Sequence, residues 1–138
     1  MVKEYEPPRT INRIAMWLSR LGLGPTETLI TRGRRTGQDR SVPVTPINVA
    51  GTEYLVSPYG EVSWVHNARE HPEVALRKGG TARLCRLVEV TGEGAEVVKA
   101  YWDKERFPRP YMDVPGEATV EDFASVASRF PVFRVEQR

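Results

Sequence analysis

The chain has 138 residues, of which 40% are hydrophobic and 28% charged, with a formal net charge of +2. That length fits one domain with a core of its own, over residues 1–138, and the composition is that of a globular protein. No apolar run approaches the ~20 residues of a spanning helix, and a net charge this small gives no global field for nucleic acid.

The opening residues Met1 to Pro8 carry Glu4 and Glu6 and lack the apolar centre of a secretory signal. A helix is expected over about residues 9–21. Ile11, Ile14, Leu18 and Leu21 recur at steps of three and four, and Met16 and Trp17 widen the stripe. Arg9, Arg13 and Arg20 flank it, so an interfacial membrane helix is compatible with the pattern. Glu4 and Glu6 oppose anionic lipid. The expectation is therefore that this amphipathic helix packs on protein, within the domain or in a homodimer.

A strand is predicted over residues 27–32, followed by the loop Gly33-Arg34-Arg35-Thr36-Gly37-Gln38. A second strand is predicted over residues 39–49. Pro43 and Pro46 lie inside it, which confines it to an edge, a bulge or a ligand contact. Ala50-Gly51 turns the chain into a third strand over residues 53–57. Pro58-Tyr59-Gly60 breaks that strand, and residues 63–70 read as a short helix.

Two more strands, over residues 74–77 and 81–90, join at Gly79-Gly80. A helix is predicted over residues 95–106, and Pro108-Arg109-Pro110 reads as irregular. Thr119 caps a helix over residues 120–129, with Asp122 as the capping-box acid. Residues 131–135 read as a closing strand. Neighbouring strands on short turns should pair antiparallel, and five or six of them predict a small α+β barrel.

The Gly33-to-Arg40 loop carries the strongest chemical signal. Arg32, Arg34, Arg35 and Arg40 face one acid, Asp39, within nine residues. Glycines let the backbone turn sharply, and free N–H groups in such a loop form an anion nest. Arginine adds planar forks that match phosphate or carboxylate oxygens. The residues alone leave two readings open, an anion site or a solvated hairpin tip. Neither a Walker loop nor a dinucleotide-binding glycine fingerprint is present.

Cys85 is the single cysteine and reads as a strand core residue, so a reducing compartment, the cytoplasm, is the expected home. His66 and His71 have no metal-ligand spacing, and no metal centre is expected. His66 reads as a surface or interface residue.

Leu29 to Arg40 resembles the signature of the deazaflavin (coenzyme F420)-dependent nitroreductase family. So do Val42-Pro43-Val44-Thr45-Pro46, the stretch from Tyr54 to Gly60, and Trp64-Val65-His66-Asn67. Arg109-Pro110-Tyr111-Met112 and the stretch from Arg129 to Phe133 are similar to one branch of that family. The resemblance implies a split β-barrel like those of FMN-binding proteins. It implies coenzyme F420, an 8-hydroxy-5-deazaflavin with a phosphate and a polyglutamate tail, as cofactor, with FMN ranked below it.

Carried over by position, Arg34, Arg35 and Arg40 would hold the anionic side of the coenzyme, and Thr36, Gly37 and Gln38 would shape the loop. Pro43, Val44 and Thr45 would line the ring. Val56, Ser57, Pro58, Tyr59 and Gly60 would lie near the phosphate linker. One branch of the family carries Ser-Lys where this chain has Pro58-Tyr59, which removes a charge from that region. Trp64 would cover the pocket or anchor its helix in the core. Asn67 would orient a backbone group.

Tyr111 is the candidate substrate-pocket residue, able to donate to a carbonyl, or else an ordinary half-buried tyrosine. The implied reaction is hydride transfer to a small, apolar, electron-poor molecule: an activated alkene, lactone, quinone or nitro compound. The alternatives are a barrel that binds FMN, haem or a lipid without deazaflavin catalysis, and a nucleic-acid hairpin. The hairpin is disfavoured because no aromatic side chain lies among the arginines.

Overall fold

The computed structural model describes residues 24–138, so the helix expected over residues 9–21 lies outside them. Seven strands form one sheet: β1 (Glu27–Arg32), β2 (Asp39–Val44), β3 (Ile47–Val49), β4 (Thr52–Val56), β5 (Glu73–Lys78), β6 (Thr81–Val90) and β7 (Val132–Gln137). The helices are α1 (Ser63–Glu70), α2 (Gly94–Lys104), the single turn α3 (Arg109–Met112) and α4 (Val120–Val126). A 3-10 turn over Ala127–Arg129 follows α4. All strand pairs are antiparallel, in the order β2-β1-β5-β6-β7-β4-β3.

That order forces the sheet to curl. β2 and β3 are its two edges, yet only Thr45 and Pro46 connect them. Three Cα steps span at most ~11 Å, whereas six flat strand spacings would separate the edges by ~29 Å. Arg83 on β6 reports the same curvature. Its guanidinium reaches Glu53 on β4 at 2.6 Å and Glu27 on β1 at 3.2 Å. In a flat sheet β1 and β4 would be ~19 Å apart. The result is a split β-barrel with flanking helices, an α+β fold.

Several expectations are corrected here. The stretch 39–49 is two strands, because the chain leaves one edge at Val44 and joins the other at Ile47. Among the described residues β2 pairs only with β1, so Pro43 interrupts no ladder with them on its other side. β2 and β3 do not pair, although β1–β2, β3–β4 and β5–β6 do. The strands among the described residues number seven, not five or six, and the split barrel is the one the resemblance implies. The prolines at 108 and 110 do not leave an irregular segment, since Pro110 fits the first turn of α3, where no N–H donor is required. The last helix ends at Val126 and tightens to a 3-10 turn.

Other elements follow the sequence closely. Ala50 and Gly51 both adopt positive φ between Val49 and Thr52, the primed two-residue turn that matches strand twist. Thr119 and Asp122 form the expected capping box.

Strand alternation sorts the core into two layers. Leu29, Leu55, Leu76, Cys85, Leu87 and Phe133 fill the barrel together with Trp64, Val65 and Ala68 of α1. Tyr54, Val56 and Val132 face the opposite way, beneath Val97, Val98 and Tyr101 of α2 and Phe123 of α4. Phe123 is fully buried and meets Trp102 edge-on at 5.6 Å. Phe123→Ala should therefore cost about 3–5 kcal/mol of stability. Chemical denaturation would show it as a lower midpoint, and an unchanged midpoint would remove this layer from the folding core.

Candidate active site

A cavity of about 510 Å³ opens where the β1–β2 hairpin meets α1. It falls within the range of roughly 300–1,000 Å³ common for small-molecule sites. Its lining comes from β1 (Thr31), the loop (Gly33, Arg34, Arg35, Thr36), β2 (Arg40, Ser41, Val42) and α1 with its cap (Val62, Ser63, Trp64, Asn67).

Register brings these residues together. Thr31 pairs with Arg40 across the hairpin, so their side chains share one face. Trp64 and Asn67 are three residues apart on α1 and therefore point the same way. Trp64 lines the cavity and also packs against Phe133 in the barrel, ring centroids 5.5 Å apart.

The loop is shaped by its two glycines. Gly33 N–H donates to Gln38 O at 2.7 Å, and Gly37 N–H donates to Gly33 O at 2.9 Å. A Cβ at Gly33 would meet Gln38 O at 2.9 Å, and Gly37 has φ +72°. Gln38 N–H also donates to the Thr36 hydroxyl at 3.2 Å.

Asn67 bolts this loop to the helix. It is buried, and its Oδ1 accepts from Arg34 N–H at 3.2 Å and from the Arg34 guanidinium at 3.0 Å. Its Nδ2 donates to the Thr31 hydroxyl at 3.3 Å. Arg34 reaches the Ser63 carbonyl as well, at 3.4 Å. Arg34 is thus fixed by protein acceptors. Arg35 and Arg40 are exposed at the cavity rim and form no ion pair among the described residues. Unpaired guanidinium groups in a concave site suit an anionic ligand.

The other sequence candidates lie outside this lining. Pro43 stands opposite Thr28 on β2, Val44 is in the barrel core, and Thr45 is in the link to β3. Val56 faces the outer layer. Ser57 and Pro58 are buried, and the Ser57 hydroxyl donates to Gly60 O at 2.6 Å, closing the turn into α1. Tyr59 is half-buried and meets Tyr111 edge-on, centroids 5.6 Å apart. Burial, with Tyr111 adding to it, pushes the Tyr59 phenol up to about 12, so it stays protonated at neutral pH. Tyr111 itself is exposed and adjoins Phe107 at 6.1 Å.

Thr31, Ser41, Val62 and Ser63 line the cavity without having been singled out from the sequence, and Gly33 and Val42, named there only within their motifs, line it too. Ser41 and Val42 adjoin Arg40 and were within reach of the motif. Thr31 required the β1–β2 register. No group of three or more metal-ligating side chains occurs among the described residues. No helix among them is long and apolar enough to cross a membrane.

Residues 13–114 match the model of the F420H2-dependent quinone reductase family. The chain belongs to that family. It is accordingly a coenzyme F420-dependent oxidoreductase, and its cofactor is coenzyme F420. No curated protein matches it.

Solved structures place the reductase among split barrels. It is similar to the F420-H2 dependent reductase FDR-A, with 23% identity over 81% of this chain and 94% of that one, TM-score 0.50. A putative pyridoxamine 5'-phosphate oxidase from Listeria innocua shares 16% identity over 88% and 90% of the two chains, TM-score 0.56. A domain-swapped dimer shares 23% identity over 93% and 94%, TM-score 0.50. At these identities the likeness concerns the fold.

Proposed function

We propose that this reductase passes a hydride from reduced coenzyme F420 to a small, apolar, electron-poor acceptor, with quinones first and activated alkenes, lactones and nitro compounds beside them. The observation that carries the reading is the cavity rim, where Arg35 and Arg40 stand unpaired among the described residues above a pocket floored by Trp64 and Val42. A phosphate and a carboxylate tail fit such a rim, and a flat ring system fits the aromatic and aliphatic floor. When bound, the deazaflavin supplies the hydride chemistry, as cofactors generally do.

The chain's own residues bind and orient. Arg34, Arg35, Thr36 and Arg40 would hold the anionic part, assisted by the Arg35 and Thr36 backbone N–H groups. Gly37 and Gln38 keep the loop in shape, and Pro43, Val44 and Thr45 would border the ring from the edge strand. Val56 to Gly60 would place Tyr59 near the linker. Tyr59 and Tyr111, with Phe107, would face the acceptor as an aromatic wall. A cytoplasmic enzyme agrees with the single, buried Cys85. A homodimer is supported by Leu84, which stands 64% exposed on β6, and by the dimeric relative.

Mixing the full chain with reduced coenzyme and menadione tests the reading. Oxidation of the coenzyme should depend on the quinone, and binding of the coenzyme should weaken with added salt. Tighter binding of FMN than of deazaflavin, or no turnover with any quinone, would count against it.

A further inference from the structure

The segment that carries Tyr111 is short, and two arginines hold it at both ends. At one end, Arg109 turns back to α2. Its Nε and Nη2 donate to the Trp102 carbonyl at 3.0 and 2.5 Å, and its guanidinium lies over the Trp102 ring, 4.9 Å from the centroid. At the other end, the Arg129 guanidinium donates to the carbonyls of Met112 and Asp113. Asp113 has φ +49°, a conformation that a non-glycine residue rarely keeps without restraint. Met112 is fully buried, so the backbone on which Tyr111 sits is anchored from below.

Arg129 also touches the opposite side of the wall. Its carbonyl lies 3.4 Å from where a Cβ on Gly60 would stand, and Gly60 adjoins Tyr59. One residue therefore packs its backbone against the turn that presents Tyr59 and spends its side chain on the turn that presents Tyr111. The guanidinium meets no acid among the described residues; it donates to carbonyl oxygens and lies over the Phe130 ring, 5.1 Å from the centroid. A four-residue helix has little stability of its own, so such external contacts decide where it rests.

We infer that Arg129, with Arg109, is a positioning residue that holds Tyr111 edge-on to Tyr59 and thereby fixes the aromatic surface offered to the electron-poor acceptor. The inference rests on the reading of Tyr111 as an acceptor-facing residue. Neither arginine touches the coenzyme cavity, so coenzyme binding and acceptor binding should separate when they are changed.

The test compares Arg129→Ala, Arg129→Lys, Arg109→Gln and Tyr111→Ala in the full chain. The probes are reduced coenzyme and menadione. For Arg129→Ala and Arg109→Gln the KM for menadione should rise about fivefold or more, while coenzyme Kd and kcat at saturating quinone stay within about twofold. Arg129→Lys can still donate to both carbonyls and should recover most of the loss. Amide exchange over residues 107–114 should accelerate about tenfold in Arg129→Ala and not in Tyr111→Ala. Arg129→Ala added to Tyr111→Ala should raise KM little further, because both act through one side chain.

If Tyr111→Ala raises KM but Arg129→Ala and Arg109→Gln leave both KM and exchange unchanged, the clamp is wrong. If Tyr111→Ala leaves KM unchanged, the acceptor-facing reading of Tyr111 is what fails. A parallel fall in coenzyme affinity would assign the arginines to general stability instead and overturn the inference. Should Arg129→Ala not fold, Arg129→Lys and Arg109→Gln still decide the question, since an unchanged exchange profile in Arg109→Gln also overturns it.

Discussion

Arg35→Ala and Arg40→Ala should each weaken coenzyme binding by roughly 1.5–3 kcal/mol, about tenfold to a hundredfold, with the melting temperature almost unmoved. Both side chains are exposed, and neither forms an ion pair among the described residues, so the fold loses little when they go. Surface changes of that kind usually lie within ~0.5 kcal/mol. Arg34 differs from them. Its guanidinium is engaged with Asn67 and Ser63, so its truncation should lower both affinity and stability. Fluorescence titration with oxidised coenzyme, beside thermal melts, separates the three residues. Normal binding by both the Arg35 and Arg40 variants would make the loop a solvated hairpin tip and remove it from the site.

Asn67→Ala should damage both the fold and the coenzyme site. The side chain is buried and makes three hydrogen bonds that join β1, the loop and α1. Its loss strands Arg34 N–H and the Thr31 hydroxyl in a place where water must enter to satisfy them. A cost of roughly 1–3 kcal/mol of stability is expected. Coenzyme affinity should fall on the order of tenfold, since the loop is no longer tied to the helix. Asn67→Asp retains the acceptor for Arg34 and loses the donor to Thr31, so it should keep more of the affinity than alanine does. Denaturation and titration of the two variants check this. An alanine variant as stable and as tight as the parent would show that the loop holds its shape without the helix.

The local elements and the chemical signature were legible in the sequence because their causes are local. Glycines bracketing Arg34 and Arg35 specify a tight loop wherever the hairpin ends up. Trp64 and Asn67 are placed on one helix face by their spacing alone. Thr119 and Asp122 cap α4 through neighbouring backbone N–H groups. The family signature likewise rests on short contiguous motifs, and the resemblance they carry implied the deazaflavin coenzyme.

What the sequence by itself determined, then, was the antiparallel character of the barrel, the hairpin turns and the arginine loop, and its family resemblance pointed to the coenzyme. Tertiary structure decided the rest, because the deciding interactions join residues far apart in the chain. Nothing local in Val44-Thr45-Pro46-Ile47 shows that two residues carry the chain from one sheet edge to the other; only the curl of seven strands makes that step short. Nothing local distinguishes Thr31 from any other strand threonine until β1 and β2 register it opposite Arg40, and α1 lays Asn67 against it from 36 residues away. The same holds for Arg129, whose partners at the end of α3 and just after it lie 17 and 16 residues earlier. Periodicity and turn chemistry are set by neighbours in sequence, whereas a cavity is set by which distant faces the hydrophobic core brings together.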